Sequence, residues 1–325
     1  MGLKARLARL FQEKPSAVPQ SRLIHLEPSD RSVLTRLVDP DTMRGLEFGP
    51  LDRPNVPATS PGIRYIDHLT TEELQKEYAG SGYDVSKLCR VDFISDGRPL
   101  PEILGDWREL DYVVAAHVIE HIPNVLGWFH ELRAVLREGG LLLLVVPNKR
   151  FMFDHIRRPS TLADVLSDFL ENRRRPSPRA VLEHQLHACR HLESIAWRGE
   201  VPEEEINRIH SDADALATAT RVATTDEYFD VHVNCFTPLS FCNILLGLTQ
   251  LKLLPFALVE IYTNMPTGEF YVVLSACDPH TSIEARVGDW REVSALAPLM
   301  EEDHFGDTLA MERRGKSTCS VPQRA

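Results

Sequence analysis

Gly45-Leu46-Glu47-Phe48-Gly49-Pro50 decides the reading of this chain. A short apolar run ends in an acid, then a glycine turn, then a proline. The run from Arg44 to Phe48 reads as a buried strand stopped by Gly49-Pro50. Two further stretches repeat the theme: Tyr65-Ile66-Asp67 closes a second strand over 63–66, and Val91-Asp92-Phe93 closes a third over 88–93. Gly49 lets the backbone turn sharply and a ligand approach, because it lacks Cβ. Asp67 follows Glu47 by about twenty residues, the spacing at which an acid accepts hydrogen bonds from both ribose hydroxyls. Asp92 can accept from an adenine amino group, Phe93 can pack on the ring, and Glu47 can hold a ligand ammonium. Together these residues read as a pocket for the adenosine end of a small molecule. The alternative for each acid alone is a capped tight turn.

The rest of the chain fits around that pocket. Tyr112 to Ala116 and Leu141 to Val146 are apolar runs suited to strands buried on both faces. Helical periodicity runs from Val125 to Arg137 and stops at Gly139-Gly140. A helix opens at Thr70 or Thr71 with Glu72 and Glu73 in its first turn. The alternation predicts a parallel sheet with ligands at the carboxyl ends of its strands. From Arg157 to about Ala223 the pattern turns helical, with starts at Ser160 or Thr161, at Ser177-Pro178 and at Pro202. Thr237-Pro238 opens a helix to about Leu248, and Phe256–Tyr262 with Phe270–Ala276 read as an antiparallel hairpin. The expected segments are a lead-in over 1–40, a core over 41–156, a helical insert over 157–230, the remaining core over 231–280 and a polar tail over 281–325 whose last dozen residues are disordered.

The chain has 325 residues, 43% of them hydrophobic, enough for a sizeable core. A formal charge of -11 argues against a nucleic-acid footprint. Six cysteines include no C-x-x-C pair, which points to reduced thiols and a cytoplasmic setting. The first residues lack the apolar core of a signal peptide, and the stretch 241–262 is too interrupted to span a bilayer. Leu3, Leu7, Leu10 and Phe11 share one helical face that could touch a membrane or a partner.

With these residues in place, the chain resembles class I S-adenosylmethionine-dependent methyltransferases. Leu46 to Pro50 is similar to their motif I, Tyr65 to Asp67 to motif II, Val91 to Phe93 to motif III, and Asp111 to Pro123 (DYVVAAHVIEHIP) to motif IV. Leu136 to Leu141 is similar to the entry to their fifth strand. The resemblance implies an α/β, Rossmann-like, mostly parallel seven-stranded sheet with an antiparallel closing hairpin and an inserted helical cap. It implies S-adenosylmethionine as cofactor, held by Glu47, Gly49, Pro50, Asp67, His68, Asp92, Phe93, Ala116 and His117. Motif I departs from the family pattern, with Pro50 and Asp52 where further glycines are usual. The loop should therefore be stiff, with the cofactor held more by acids than by a glycine cradle. The opening is also similar to that of bacterial methyltransferases associated with polysaccharide biosynthesis, which implies methyl transfer to an oxygen of a sugar or glycan-linked acceptor.

Methyl transfer to a hydroxyl needs the acceptor aligned and its proton removed. His121 is the preferred base, with His117 beside it; its alternative is a loop brace. Asp230-Val-His232 could supply a second, acid-oriented base at His232. Lys149, Arg150, Asp154, His155 and Arg157 follow a strand's carboxyl end and read as binding an anionic acceptor; Arg173 to Arg175 add charge nearby. Some class I enzymes with E-x-x-E-H in motif IV bind a divalent cation. Here His117 takes the first place, so no metal is expected, and Glu120 and His121 are the candidates if one binds. His184, His187 and His191 share a helical face, more simply an exposed one. A nucleotide-dependent oxidoreductase would need a glycine-rich turn that is missing. The remaining alternative is a non-catalytic methyltransferase-like scaffold or regulatory partner in a glycan or natural-product pathway.

Overall fold

The structure, a computed structural model, describes residues 23–25, 32–190, 206–263 and 268–302. Its strands are β1 (Ile24–His25), β2 (Gly45–Phe48), β3 (Ile63–Asp67), β4 (Phe93–Ile94), β5 (Leu110–Ala116), β6 (Leu136–Pro147), β7 (Phe256–Tyr262) and β8 (Glu269–Ala276). They form one sheet in the order β1-β7-β8-β6-β5-β2-β3-β4. Among the described strands β8 alone runs antiparallel to its neighbours, so β2 to β6 all present their carboxyl ends at one edge. Because β8 is reversed, its first residue arrives at that same edge: Glu269 pairs with Pro147. The seven expected strands are present, and Ile24–His25 adds a two-residue parallel strand outside β7.

The central strands are apolar because helices cover one face and a loop layer the other. Leu46, Val113, Leu142 and Leu144 pack beneath helical side chains such as Phe129, Phe241 and Trp290. Tyr65, Tyr112, Val114 and Leu143 pack under the proline-rich loop with Val56. Tyr112 dictates a glycine in β2: a Cβ on Gly45 would sit 2.1 Å from its ring. Such a collision forces the buried Tyr112 ring out of its place in the core.

The helices are α1 (Ser32–Thr35), α2 (Thr71–Glu77), α3 (Leu100–Leu104), α4 (Val125–Val135), α5 (Leu162–Leu170), α6 (Pro178–His187), α7 (Asp212–Thr224), α8 (Pro238–Gln250) and α9 (Ile283–Glu302). Six of these helices start on a side-chain cap. Thr70 with Glu73, Thr161 with Asp164 and Thr237 with Ser240 form reciprocal caps, each fixing otherwise unpaired N–H groups. In the segment between β6 and β7, α5 packs into the main core through Val165. Helices α6 and α7 instead pack on each other around Val181, Ala219, Val222 and Val231.

Two expectations are corrected. The third strand is not 88–93: residues Val85–Lys87 form a helical turn, and pairing with β3 begins at Phe93. Residues 283–302 form a helix where a polar tail was expected. Trp290 and Val293 are buried against the core, and buried Arg286 donates to the carbonyls of Leu254 and Phe256. Charge along α9 hid this anchoring stripe. The expected helix start at Pro202, like His191 and residues 3–11, falls outside the described residues. No described helix is long and apolar enough to cross a membrane.

Candidate active site

At the end of β2 the backbone turns at Gly49, whose φ of 55° favours glycine and whose missing Cβ faces open space. Its N–H donates to the carbonyl of Ile66 at 3.0 Å. Glu47 is buried, and its carboxylate accepts from Asn55 N (2.7 Å), Asn55 Nδ2 (2.9 Å) and Val56 N (3.0 Å). The expected ammonium contact therefore gives way to another role: Glu47 staples the loop that carries buried Pro50. Tyr65 Oη donates to the Val56 carbonyl at 2.6 Å and fixes the same loop. The proline and the staple together make this loop preformed.

Asp67 ends β3 and is buried. Its Oδ1 accepts from His68 N and pairs with His68 Nδ1, both at 2.7 Å. That hydrogen bond raises the His68 pKa above the ordinary histidine value, against the effect of burial. Asp92 does not reach this edge. Its Oδ2 accepts from Tyr65 N at 3.0 Å and its own N–H donates to Tyr65 O, level with the middle of β3. The register Asp67↔Ile94 instead carries Ser95 and Asp96 past the strand end, where Ser95 N donates to Asp67 O. Asp96, which the sequence reading did not single out, lies at this strand end with its carboxylate held by Arg98, whose Nε donates to Oδ2 at 2.9 Å. Its signal was the Asp96-Gly97 pair after the short run Phe93-Ile94. Phe93 is packed against the main core.

Beyond half-buried Ala116, the end of β5 gathers the histidines. His117 adopts a φ of 54°, a left-handed conformation unusual for a residue with a side chain. Its N–H donates to Val145 O, and its Nε2 pairs with Glu269 Oε2 at 2.7 Å. Its Nδ1 lies 3.6 Å from Glu120 Oε1. Glu120 is only 1% exposed, and neither of its carboxylate oxygens has a hydrogen-bond partner. His121 Nδ1 pairs with Asp230 at 2.9 Å. Burial opposes its charge, but the Asp230 bond and the Glu120 carboxylate outweigh it, and its pKa is raised.

His232 is buried and meets His121 edge to face, with ring centroids 4.8 Å apart. Its Nδ1 pairs with Asp154, not with Asp230 as the alternating pattern implied. No strand forms there; residues 230–234 cross the site as a strap, held where Asn234 N donates to Glu120 O (3.0 Å) and Asn234 Nδ2 to Ile122 O (2.9 Å). Two Asp–His pairs thus replace the single expected one, with crossed partners.

The residues expected to bind an anion are largely engaged internally. Arg157 and Asp154 form a buried pair at 2.7 Å, and Arg157 also donates to His232 O and Val233 O. Desolvation opposes its charge, yet the His232 bond and Arg157 hold the Asp154 pKa down. Lys149 is buried and donates to His155 O at 2.6 Å. His155 Nδ1 faces Met152 O, and Arg150 is half-buried. Arg173, Arg174 and Arg175 pair with Asp168, Glu131 and Asp226. Of the other histidine face, His187 bonds Glu183 O, whereas half-buried His184 meets His232 edge to face and burial pushes its pKa down to about 4.

With this geometry in view, a family model described as "Methyltransferase domain" matches residues 21–219. The chain belongs to the methyltransferase family. No curated protein matches it. Among solved structures this methyltransferase is similar to the trans-methyltransferase CalH in complex with SAH, at 13% identity over 76% of this chain and 54% of that one, with a TM-score of 0.35. It spans about half of that protein's length. It is also similar to the protein described under conversion of a disulfide bond into a thioacetal group during echinomycin biosynthesis (9% identity, 81% and 87% covered, TM-score 0.33). A third is the glycopeptide N-methyltransferase MtfA complexed with sinefungin (17% identity, 36% and 53% covered, TM-score 0.26). Along the methyltransferase's carboxyl edge, Gly49, Asp67 and Asp96 thus stand on one side, and His117, Glu120, His121 and His232 on the other.

Proposed function

We propose that this methyltransferase takes its methyl group from S-adenosylmethionine and transfers it to an oxygen of a small hydroxyl-bearing acceptor, a sugar or glycan-linked molecule. The adenosyl end lies over β2 to β4, with Asp67 accepting from the ribose hydroxyls. The acceptor lies beneath the strap 230–234. One observation carries this reading: His121 and His232 adjoin each other with each Nδ1 anchored on a carboxylate, which fixes the rings and leaves both Nε2 atoms for the acceptor. The acceptor oxygen attacks the methyl carbon in line, sulfur leaves with the bonding pair as the neutral thioether of S-adenosylhomocysteine, and the hydroxyl proton is lost at this histidine array. The internal pairing of Lys149 and Arg157 favours a neutral acceptor over an anionic one.

The test is methyl transfer from isotope-labelled S-adenosylmethionine to a panel of sugars, nucleotide sugars and phosphosugars. His121→Ala and His232→Ala should each lower turnover while leaving S-adenosylhomocysteine binding intact. Full activity in both variants would remove the array from the chemistry. Absence of cofactor binding by the wild type would instead favour the scaffold alternative.

A further inference from the structure

The carboxylate of Glu120 is the least explained group in the molecule. It is 1% exposed, both oxygens lack a hydrogen-bond partner, and it sits in the turn Ile119–His121 immediately after β5. Leaving a buried carboxylate without a hydrogen-bonding partner costs several kcal/mol unless a cation balances it, on the order of the usual penalty for buried charge. His117 Nδ1 at 3.6 Å is too long for a hydrogen bond.

The neighbours of Glu120 explain what is missing. One ligand atom each from Glu120, His121 and His232 can be chosen with all three within 4.8 Å of one another. Both histidines have Nδ1 occupied by a carboxylate, Asp230 for His121 and Asp154 for His232. A carboxylate on Nδ1 fixes the tautomer with Nε2 unprotonated and raises its basicity, the arrangement that orients metal-bound imidazole. Asp154 is in turn held by Arg157, so the support extends one layer further.

We infer that Glu120, His121 and His232 form a binding site for a divalent first-row transition ion. Two imidazoles and one carboxylate suit zinc, iron(II), manganese or cobalt and leave positions open for an acceptor oxygen. An ion held at about 2.1 Å brings adjacent ligand atoms to roughly 3 Å of each other, so binding closes the site by side-chain movements of about 1 Å. The site deepens the methyl-transfer reading and rests on it for its purpose. With an ion bound, His121 and His232 would act as its ligands in place of the base role given above, and the acceptor hydroxyl, positioned and acidified there, would lose its proton to solvent. His232 completes the set from 111 residues beyond His121, which is why the motif around Glu120 looked incomplete in the sequence.

The test uses full-length, chelator-treated protein titrated with Co2+, followed by visible d–d absorption, with a parallel S-adenosylhomocysteine titration. Wild type should take up one equivalent with visible bands. Glu120→Gln and His121→Gln should lose most of that affinity, and Asp230→Asn about 10-fold, all with S-adenosylhomocysteine binding unchanged. Cobalt uptake by Glu120→Gln equal to wild type, or no uptake by wild type that binds S-adenosylhomocysteine, overturns the site while leaving the cofactor reading standing. If Glu120→Gln does not fold, Asp230→Asn decides: this acid is exposed, and unchanged cobalt affinity there overturns the proposal. Cobalt binding without S-adenosylhomocysteine binding keeps the site and removes the methyl-transfer reading.

Discussion

At the ends of β2 and β3, buried acids bind groups close in the chain: Glu47 to residues eight and nine positions on, Asp67 to its immediate neighbour. Beyond β5 the acids bind side chains far away in sequence. Asp154 meets His232 across 78 residues, Asp230 meets His121 across 109, and Glu269 meets His117 across 152. The first region is made rigid by its own local sequence. The second exists only once the sheet, its reversed last strand and the strap have come together. Local pairing suits a cofactor site that is preformed. Long-range pairing concentrates charge at one point of the carboxyl edge, and there Glu120 is left without a hydrogen bond, the feature on which the proposed ion site rests.

The largest expected effect breaks the long-range side. Arg157→Leu leaves Asp154 buried without its cation and should cost about 3–5 kcal/mol of stability, read by urea denaturation. A loss under ~1 kcal/mol would mean that the strap does not depend on this pair.

The next contrast sharpens the local side. Asp96→Ala should weaken S-adenosylhomocysteine binding about 10-fold, the size of one lost hydrogen bond between charged and polar partners. Asp92→Ala should change it by less than about twofold, because Asp92 pairs with Tyr65 in the middle of β3, whereas Asp96, held by Arg98, lies past the strand end. Equal effects from both would return Asp92 to the site.

The smallest effect concerns His68. Its folded pKa is raised through the Asp67 hydrogen bond, so its stabilising contribution is fully present below its unfolded pKa of 6.5 and fades as pH rises through the raised folded value. His68 is half-exposed, so solvent screening keeps that contribution to within about 1 kcal/mol. The stability difference between wild type and His68→Ala should therefore shrink between pH 6 and pH 9, roughly across the histidine range. A difference that grows with pH would contradict the pairing.

The same local and long-range division governs what the sequence made legible. Apart from the third strand, the strand ends, the glycine turn and the closing hairpin rest on short-range signals and lie close to where the residues placed them. Asp92 misled because Leu88 to Phe93 carries enough apolar residues to look like a strand, although pairing begins only at Phe93. Glu47 looked like a ligand group because a strand-end acid carries no mark of the loop it will staple. The basic cluster looked available to an anion because nothing local announced Glu131 or Asp226 as partners, and because Asp154, three residues before Arg157, read as a ligand group and not as its partner. Glu269 was invisible as a site residue, since only the reversal of β8 brings it to the carboxyl edge.

The most direct measurement is calorimetric titration of S-adenosylhomocysteine into wild type and Asp67→Ala. The account predicts one site in the wild type and an affinity loss of about 100-fold in the variant, as expected when an acid binding two ribose hydroxyls is removed. No binding to folded wild type, or equal affinity in both proteins, would contradict it.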